Sequence, residues 1–175
     1  EKNLGQKDIT RQDLKKSSEM IKIRQNRTKR FFKHIAPQWD RVKKEVLGDL
    51  DLRAVIKNRV IFSGYVADLG CGTGELIEGL AKDTSHNFIG IDYSPEMLEQ
   101  ARLRLFRTNN AELRLGELEH LPMKNEEIDM AIMNMVLHHI SQPELSIAEA
   151  YRVLKPEGYF ILSDFEKHDQ KNKKK

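Results

Sequence analysis

Cysteine occurs once in 175 residues, at Cys71. A single thiol closes no intrachain disulfide, so the chain is not a disulfide-framed scaffold, and a reducing, cytoplasmic setting is expected. No apolar run approaches the ~20 residues that a membrane-spanning helix needs. The first thirty residues are too charged to be a secretory leader. His and Cys fall in no metal-ligand spacing, and no metal site is expected. The chain starts at Glu1 rather than Met, which reads as part of something longer. What is present, with 39% hydrophobic residues, is enough to bury the core of one globular domain.

The formal net charge of +3 conceals a strong asymmetry. Residues 1–60 carry 17 Lys and Arg against 8 Asp and Glu, residues 61–166 carry 8 against 18, and residues 167–175 carry 5 against 1. The basic N-terminal stretch, "IKIRQNRTKRFFKH", reads as a solvated helical arm, with contact to nucleic acid or an acidic partner as the alternative. The tail "KNKKK" reads as disordered.

Periodicity divides the rest. Residues 1–35 carry helical spacing that Pro37 ends, and a second helical stretch runs from about Trp39 to Ile56. From there apolar runs alternate with amphipathic ones. Strands are expected over 65–70, 87–92, 111–117, 128–137 and 158–165, and helices over 75–83, 94–106 and 143–155. Ser94 reads as an N-cap with Pro95 at the first helical position, and Pro156 and Gly158 read as stops for the last helix. No helix fits between the third and fourth strands. Such alternation makes an α/β domain, a doubly wound, mostly parallel, Rossmann-like sheet. Three segments are therefore expected: a basic helical arm or lid (1–58), the α/β domain (59–166) and the tail (167–175).

"VADLGCGTGEL" (66–76) places Gly70, Gly72 and Gly74 just after the first strand, where a doubly wound sheet binds ligands. Glycines at that point let a nucleotide-like ligand press against the backbone. The second strand ends in "GIDYS", which sets Asp92 to receive two ribose hydroxyls. The dinucleotide fingerprint G-x-G-x-x-G fails, because Glu75 stands where its third glycine belongs, and a carboxylate there repels a pyrophosphate. No G-K-[ST] follows, so this is not a phosphate-binding P-loop. With Asp68 adding negative charge, the site suits a ligand with a ribose and a positive charge, as in S-adenosylmethionine. A nicotinamide-dependent oxidoreductase is thereby disfavoured.

"VADLGCGTGEL" and "GIDYSPEML" resemble the first two motifs of the class I S-adenosylmethionine-dependent methyltransferases. "RLGELEHLPMKNEEIDMAIMNMVLHHI" and "AEAYRVLKPEGYFILSDF" resemble the family's later segments, in order and in spacing. "RFFKHIAPQWD" is similar to the N-terminal stretch of the ubiquinone-biosynthesis-like, methyltransferase type 11 branch. It also resembles methyltransferase domains that follow ArsR-type winged helices. The resemblance implies a sheet of order 3-2-1-4-5, and S-adenosylmethionine as cofactor with S-adenosylhomocysteine as product. By position, Asp68 and the backbone of Gly70, Gly72 and Gly74 hold the methionine part, with Cys71 a small buried residue inside that loop. Asp92 binds the ribose, Tyr93 and Met97 pack on the adenine, and Glu117 and Leu118 edge it. Asn134 lies near the methyl group. Phe32 and Trp39 belong to a lid.

Methyl transfer by in-line displacement needs position and desolvation more than a triad of side chains. His138 and His139 are candidates for a general base; as chain neighbours they are expected to face different ways, so that one at most meets the substrate. "NMVLHH" lacks the D/N-P-P-Y/F segment of amino-methylating nucleic-acid enzymes, so a small-molecule acceptor is expected. The family's last two strands are missing after the fifth, which reads as truncation or as an edge open to homodimer pairing. The alternative function is a non-catalytic cofactor-binding module linked to DNA binding.

Overall fold

The computed structural model describes residues 30–47, 64–82 and 85–165, with Ile56 and positions 16, 19, 20, 23 and 26–28. The start of the basic arm, the boundary near residue 59 and the "KNKKK" tail lie outside the described residues. Among the described residues no helix is long and apolar enough to cross a membrane.

Five strands form one sheet in the order β3-β2-β1-β4-β5. They are β1 (Tyr65–Leu69), β2 (Asn87–Asp92), β3 (Ala111–Leu115), β4 (Ile128–Asn134) and β5 (Leu154–Ser163). Every strand pair is parallel. Helices α1 (Trp39–Leu47), α2 (Glu75–Ala81), α3 (Pro95–Arg104) and α4 (Pro143–Val153) accompany them. Parallel neighbours need crossovers, and α2, α3 and α4 supply three of them. No helix joins β3 to β4; residues 116–127 cross in turns.

Alternation along the strands sends side chains to two cores. On one face Val66, Phe88, Met130 and Ile132 pack with Ile77 and Leu80 of α2 and Leu98 of α3. On the other, Ala67, Leu69, Ile89, Ile91, Ala131 and Met133 pack with Ala150 and Val153 of α4. Ile128 joins this second core although its even spacing matches Met130; the β4–β5 register shifts between the two. Both faces being covered, the central strands read as unbroken apolar runs.

Sequence cues to the element ends hold in part. Ser94 caps α3, its hydroxyl accepting the Met97 N–H at 3.2 Å, with Pro95 following. Pro37 does not break the N-terminal helix cleanly: residues 30–35 pass through the 3-10 turn Ala36–Gln38 straight into α1. Pro156 and Gly158 do not follow α4 in a loop either. The helix stops at Val153, and β5 begins at Leu154, four residues before the expected start. Glu157 bends the strand there with φ +64°, inside the left-handed region.

The order 3-2-1-4-5 reverses the winding direction between β1 and β4, so crevices open at the carboxyl ends of β1, β2 and β4. At the β5 edge, Tyr159, Phe160 and Leu162 are exposed.

Ile132 is buried in the central strand β4, in register with Asp68 of β1, and packs into the core formed with α2 and α3. Ile132→Ala is expected to cost about 2–5 kcal/mol, read as a lower midpoint in guanidinium chloride unfolding.

Candidate functional site

Residues 70–74 turn from the end of β1 into α2. Gly70, Gly72 and Gly74 take φ of +86°, +52° and +75°, conformations that β-carbon-bearing residues avoid. Two N–H groups, of Gly70 and Cys71, donate to the Ile91 carbonyl at 2.7 and 2.9 Å. The Gly72 N–H donates to Asp92 Oδ2 at 2.9 Å, and the Ser94 N–H donates to Asp92 Oδ1 at 2.9 Å. One carboxylate at the end of β2 thus ties the glycine loop to the start of α3.

A cavity of about 320 Å³ opens over this loop, within the range of small-molecule sites. Asp68, Gly70, Cys71, Gly72, Asp92, Tyr93, Met97, Glu117, Leu118 and Asn134 line it, with Phe32, Trp39, His138 and His139. Fourteen of the fifteen residues singled out from sequence thus meet around one space. The exception is Gly74, which does not line the cavity; a β-carbon there would come within 3.2 Å of Ala101 Cβ and 3.1 Å of Leu105 Cδ1. Its bareness lets α3 approach the loop. Gly70 has a similar packing reason, since a β-carbon would fall 2.6 Å from Val136 Cγ2. At Gly72 the space opens toward the cavity, with Trp39 Nε1 3.6 Å from the position of a β-carbon.

The two histidines do not face apart. A 3-10 turn, Leu137–His139, follows β4 and turns both rings into the cavity wall, 3.9 Å between centroids. Alternation applies to strands, and β4 ends at Asn134. His138 Nδ1 lies 2.7 Å from Asp164 Oδ1, and the His138 N–H donates to Asp164 Oδ2 at 3.3 Å.

Phe32 is the hub of an aromatic wall, edge-on to Trp39 at 5.1 Å, His139 at 5.0 Å and Tyr93 at 6.2 Å. Ionic contacts hold α1 against the glycine loop. Thr73 donates its hydroxyl to Asp40 Oδ1 at 2.6 Å, and the Arg104 guanidinium donates to the Thr73 hydroxyl and carbonyl while pairing with Asp40. Lys43 reaches Glu75 at 2.8 Å. The carboxylate that excluded a pyrophosphate by sequence thus has a cation from α1 beside it. Asp40, Thr73, Arg104 and Asp164 were not singled out by sequence, because their partners lie 26 to 64 positions away. A polar residue inside the glycine loop was the only local signal, at Thr73.

Electrostatics mark the floor of the cavity as acidic and desolvated. Burial pushes the Asp68 carboxyl up to about 7, with Lys43 opposing and Asp92 adding. Burial raises Asp92 as well, against the N–H groups of Ser94, Gly72 and Tyr93 that favour its charged form. The Cys71 thiol is raised by burial and then by both carboxylates, so it stays protonated and inert. Asn134 Oδ1 is buried without a hydrogen-bond partner among the described residues. The cavity therefore offers acceptors, and a cationic, hydroxyl-bearing ligand answers them.

The family model described as "Methyltransferase domain" matches residues 67–162. A 37.1 kDa uncharacterized protein in transposon TN4556 of Streptomyces fradiae is 42% identical over 99 residues, 55% of this chain and 29% of that protein. The demethylmenaquinone methyltransferase of Lactobacillus johnsonii is 31% identical over 137 residues, 73% of this chain and 56% of that protein. Among solved structures, a SAM-dependent methyltransferase from Aquifex aeolicus superposes with a TM-score of 0.63 at 25% identity, covering 75% of this chain and 76% of that one. The chain spans less than two thirds of the length of either sequence relative.

Asp68 sets a pH dependence. Its folded-state carboxyl binds a proton that the unfolded chain has already released above about 4. The stability it contributes is therefore complete below about pH 4 and is lost as pH rises through about 7. Asp68→Asn cannot ionise. Thermal melts of the ligand-free protein are expected to show the variant gaining on the wild type as pH rises from about 4 to about 8.

Proposed function

The chain belongs to the class I S-adenosylmethionine-dependent methyltransferases, and from that premise we propose that it transfers a methyl group to a small, largely apolar acceptor. The observation that carries this reading is the pair of buried carboxylates, Asp68 and Asp92, on the floor of a glycine-lined cavity. Two adjacent acids in a desolvated site favour a cation between them. The donor set fits S-adenosylmethionine: carboxylates for its ammonium and ribose, an unpartnered Asn134 Oδ1, and bare backbone at Gly72.

When bound, S-adenosylmethionine supplies an electrophilic methyl group on a positively charged sulfur. Around it Asp68 and the Gly70–Gly72 backbone would hold the methionine end. Asp92 receives the ribose hydroxyls on lone pairs that its N–H partners leave open. Tyr93 and Met97 would pack on the adenine, and Glu117 and Leu118 would edge it. Phe32 and Trp39 close over the loop and exclude water, which strengthens every charge interaction beneath them. Catalysis is then mostly orientation, the part that a rigid sheet end supplies well.

The acceptor space lies beyond Asn134, between Phe31, Phe32, His138, His139 and Phe165. Its walls are aromatic and apolar, which suits a ring-bearing small molecule rather than a phosphate-rich polymer. The demethylmenaquinone methyltransferase among the relatives acts on a molecule of that kind.

Calorimetric titration tests the reading. S-adenosylmethionine and S-adenosylhomocysteine are expected to bind with micromolar affinity, and NAD not at all; saturable NAD binding without either would overturn it. Asp92→Ala is expected to weaken S-adenosylhomocysteine by about 1–3 kcal/mol, about 5- to 150-fold. An unchanged affinity would remove the ribose assignment.

A further inference from the structure

We propose that His138, oriented by Asp164, is the general base of the reaction and that the acceptor is a hydroxylated aromatic ring. The inference rests on the methyl-transfer reading above and deepens it.

The geometry is specific. The 3-10 turn after β4 carries His138 into the cavity wall. Asp164, just past the end of β5, takes both the His138 backbone N–H and, at 2.7 Å, its Nδ1. A carboxylate at Nδ1 keeps the proton on that nitrogen, which makes Nε2 the basic one. Asp164 stays ionised for this task. Burial works against its charge, but the Phe165 N–H and His138 outweigh it and hold the carboxyl below its ordinary range. Any positive charge gained by the imidazole then faces a fixed anion 2.7 Å away.

The surroundings define the acceptor. Phe165 lies edge-on to His138 at 5.2 Å, and Phe32 lies edge-on to His139 at 5.0 Å. A flat apolar ring packs edge-to-face against such walls. A neutral phenolic hydroxyl is a poor nucleophile and gains most from a positioned base. In the transfer, the acceptor's O–H bond breaks and its proton goes to His138 Nε2. The oxygen keeps the bonding pair and places an electron pair in the new bond to the methyl carbon. The carbon–sulfur pair returns to sulfur, which loses its positive charge. His138 finally gives its proton to solvent.

The test uses the full chain and 4-nitrophenol as probe, because its phenolate has a distinct absorption band. S-adenosylhomocysteine binding is measured first in wild type and in His138→Ala. With S-adenosylhomocysteine bound, wild type is expected to shift the probe toward phenolate at a pH just below the probe's own pKa. His138→Ala is expected to bind the probe within a few-fold but to lose the shift. Asp164→Asn, which keeps the shape, is expected to give an intermediate shift. Single-turnover methylation of the probe is expected to fall about 10²–10⁴-fold in His138→Ala, with partial rescue by added imidazole. An undiminished phenolate shift in His138→Ala, or a wild type that binds S-adenosylhomocysteine but leaves the probe neutral, would overturn the inference alone. A wild type that binds no S-adenosylhomocysteine would overturn the methyl-transfer reading and this inference with it.

Discussion

Asp92 is where the pieces meet. Its side chain accepts the N–H of Gly72 on one oxygen and the N–H of Ser94 on the other, while its own carbonyl receives the Gly116 N–H. The loop after β1, the start of α3 and the exit of β3 are thereby fixed to one residue at the end of β2. A buried carboxylate costs free energy unless it is bonded, and these bonds offset part of that cost while holding the glycine loop in shape. The same loop conformation leaves the backbone bare beneath the cavity. The glycine loop and the cavity above it therefore draw on one set of hydrogen bonds, and a charge buried at the cavity floor also organises the fold.

The site divides chemically along the sheet. Its floor, from Asp68 to Asp92, is acidic and dry, suited to a cationic nucleoside derivative. Its far wall, from Phe32 to Phe165, is aromatic, with one histidine and its carboxylate set into it. Helix α1 lies over the acidic floor, held by Asp40 and Lys43 to Thr73 and Glu75. Surface ion pairs contribute little singly. Here Asp40, Thr73, Arg104 and Glu78 form a connected set around half-buried atoms, with Arg104 Nε 3.4 Å from Glu78, and networks of this kind resist loosening better than isolated pairs.

Much of the sheet was legible because buried parallel strands leave a simple trace, an apolar run ended by glycine or polar residues. Both covered faces follow from that alternation with helices, and the resemblance to the methyltransferase family implied the strand order. Ser94 and Pro95 announced α3 because capping is a local event. The α4–β5 junction was not legible, since Pro156 and Gly158 usually end helices, and only the pairing of Leu154 and Tyr159 with β4, on either side of them, carries the strand through. The cavity floor could be named from sequence because the chemistry requires glycine and aspartate at fixed offsets from strand ends. The clamp of Arg104 on Thr73 and Asp40, and the pairing of His138 with Asp164, depend on residues brought together by the sheet. Nothing in their local sequence marks them. The expectation that His138 and His139 diverge failed for a related reason, as it assumed that strand geometry persisted beyond Asn134.

Trp39 is the sole tryptophan of the chain, and its indole nitrogen stands over Gly72 in the cavity wall. Indole emission responds to the polarity and motion of its immediate surroundings. The molecule thus carries an optical reporter placed at its glycine loop, with no second indole to dilute the signal. Filling the cavity, or lifting α1 from the loop, changes the surroundings of that one indole.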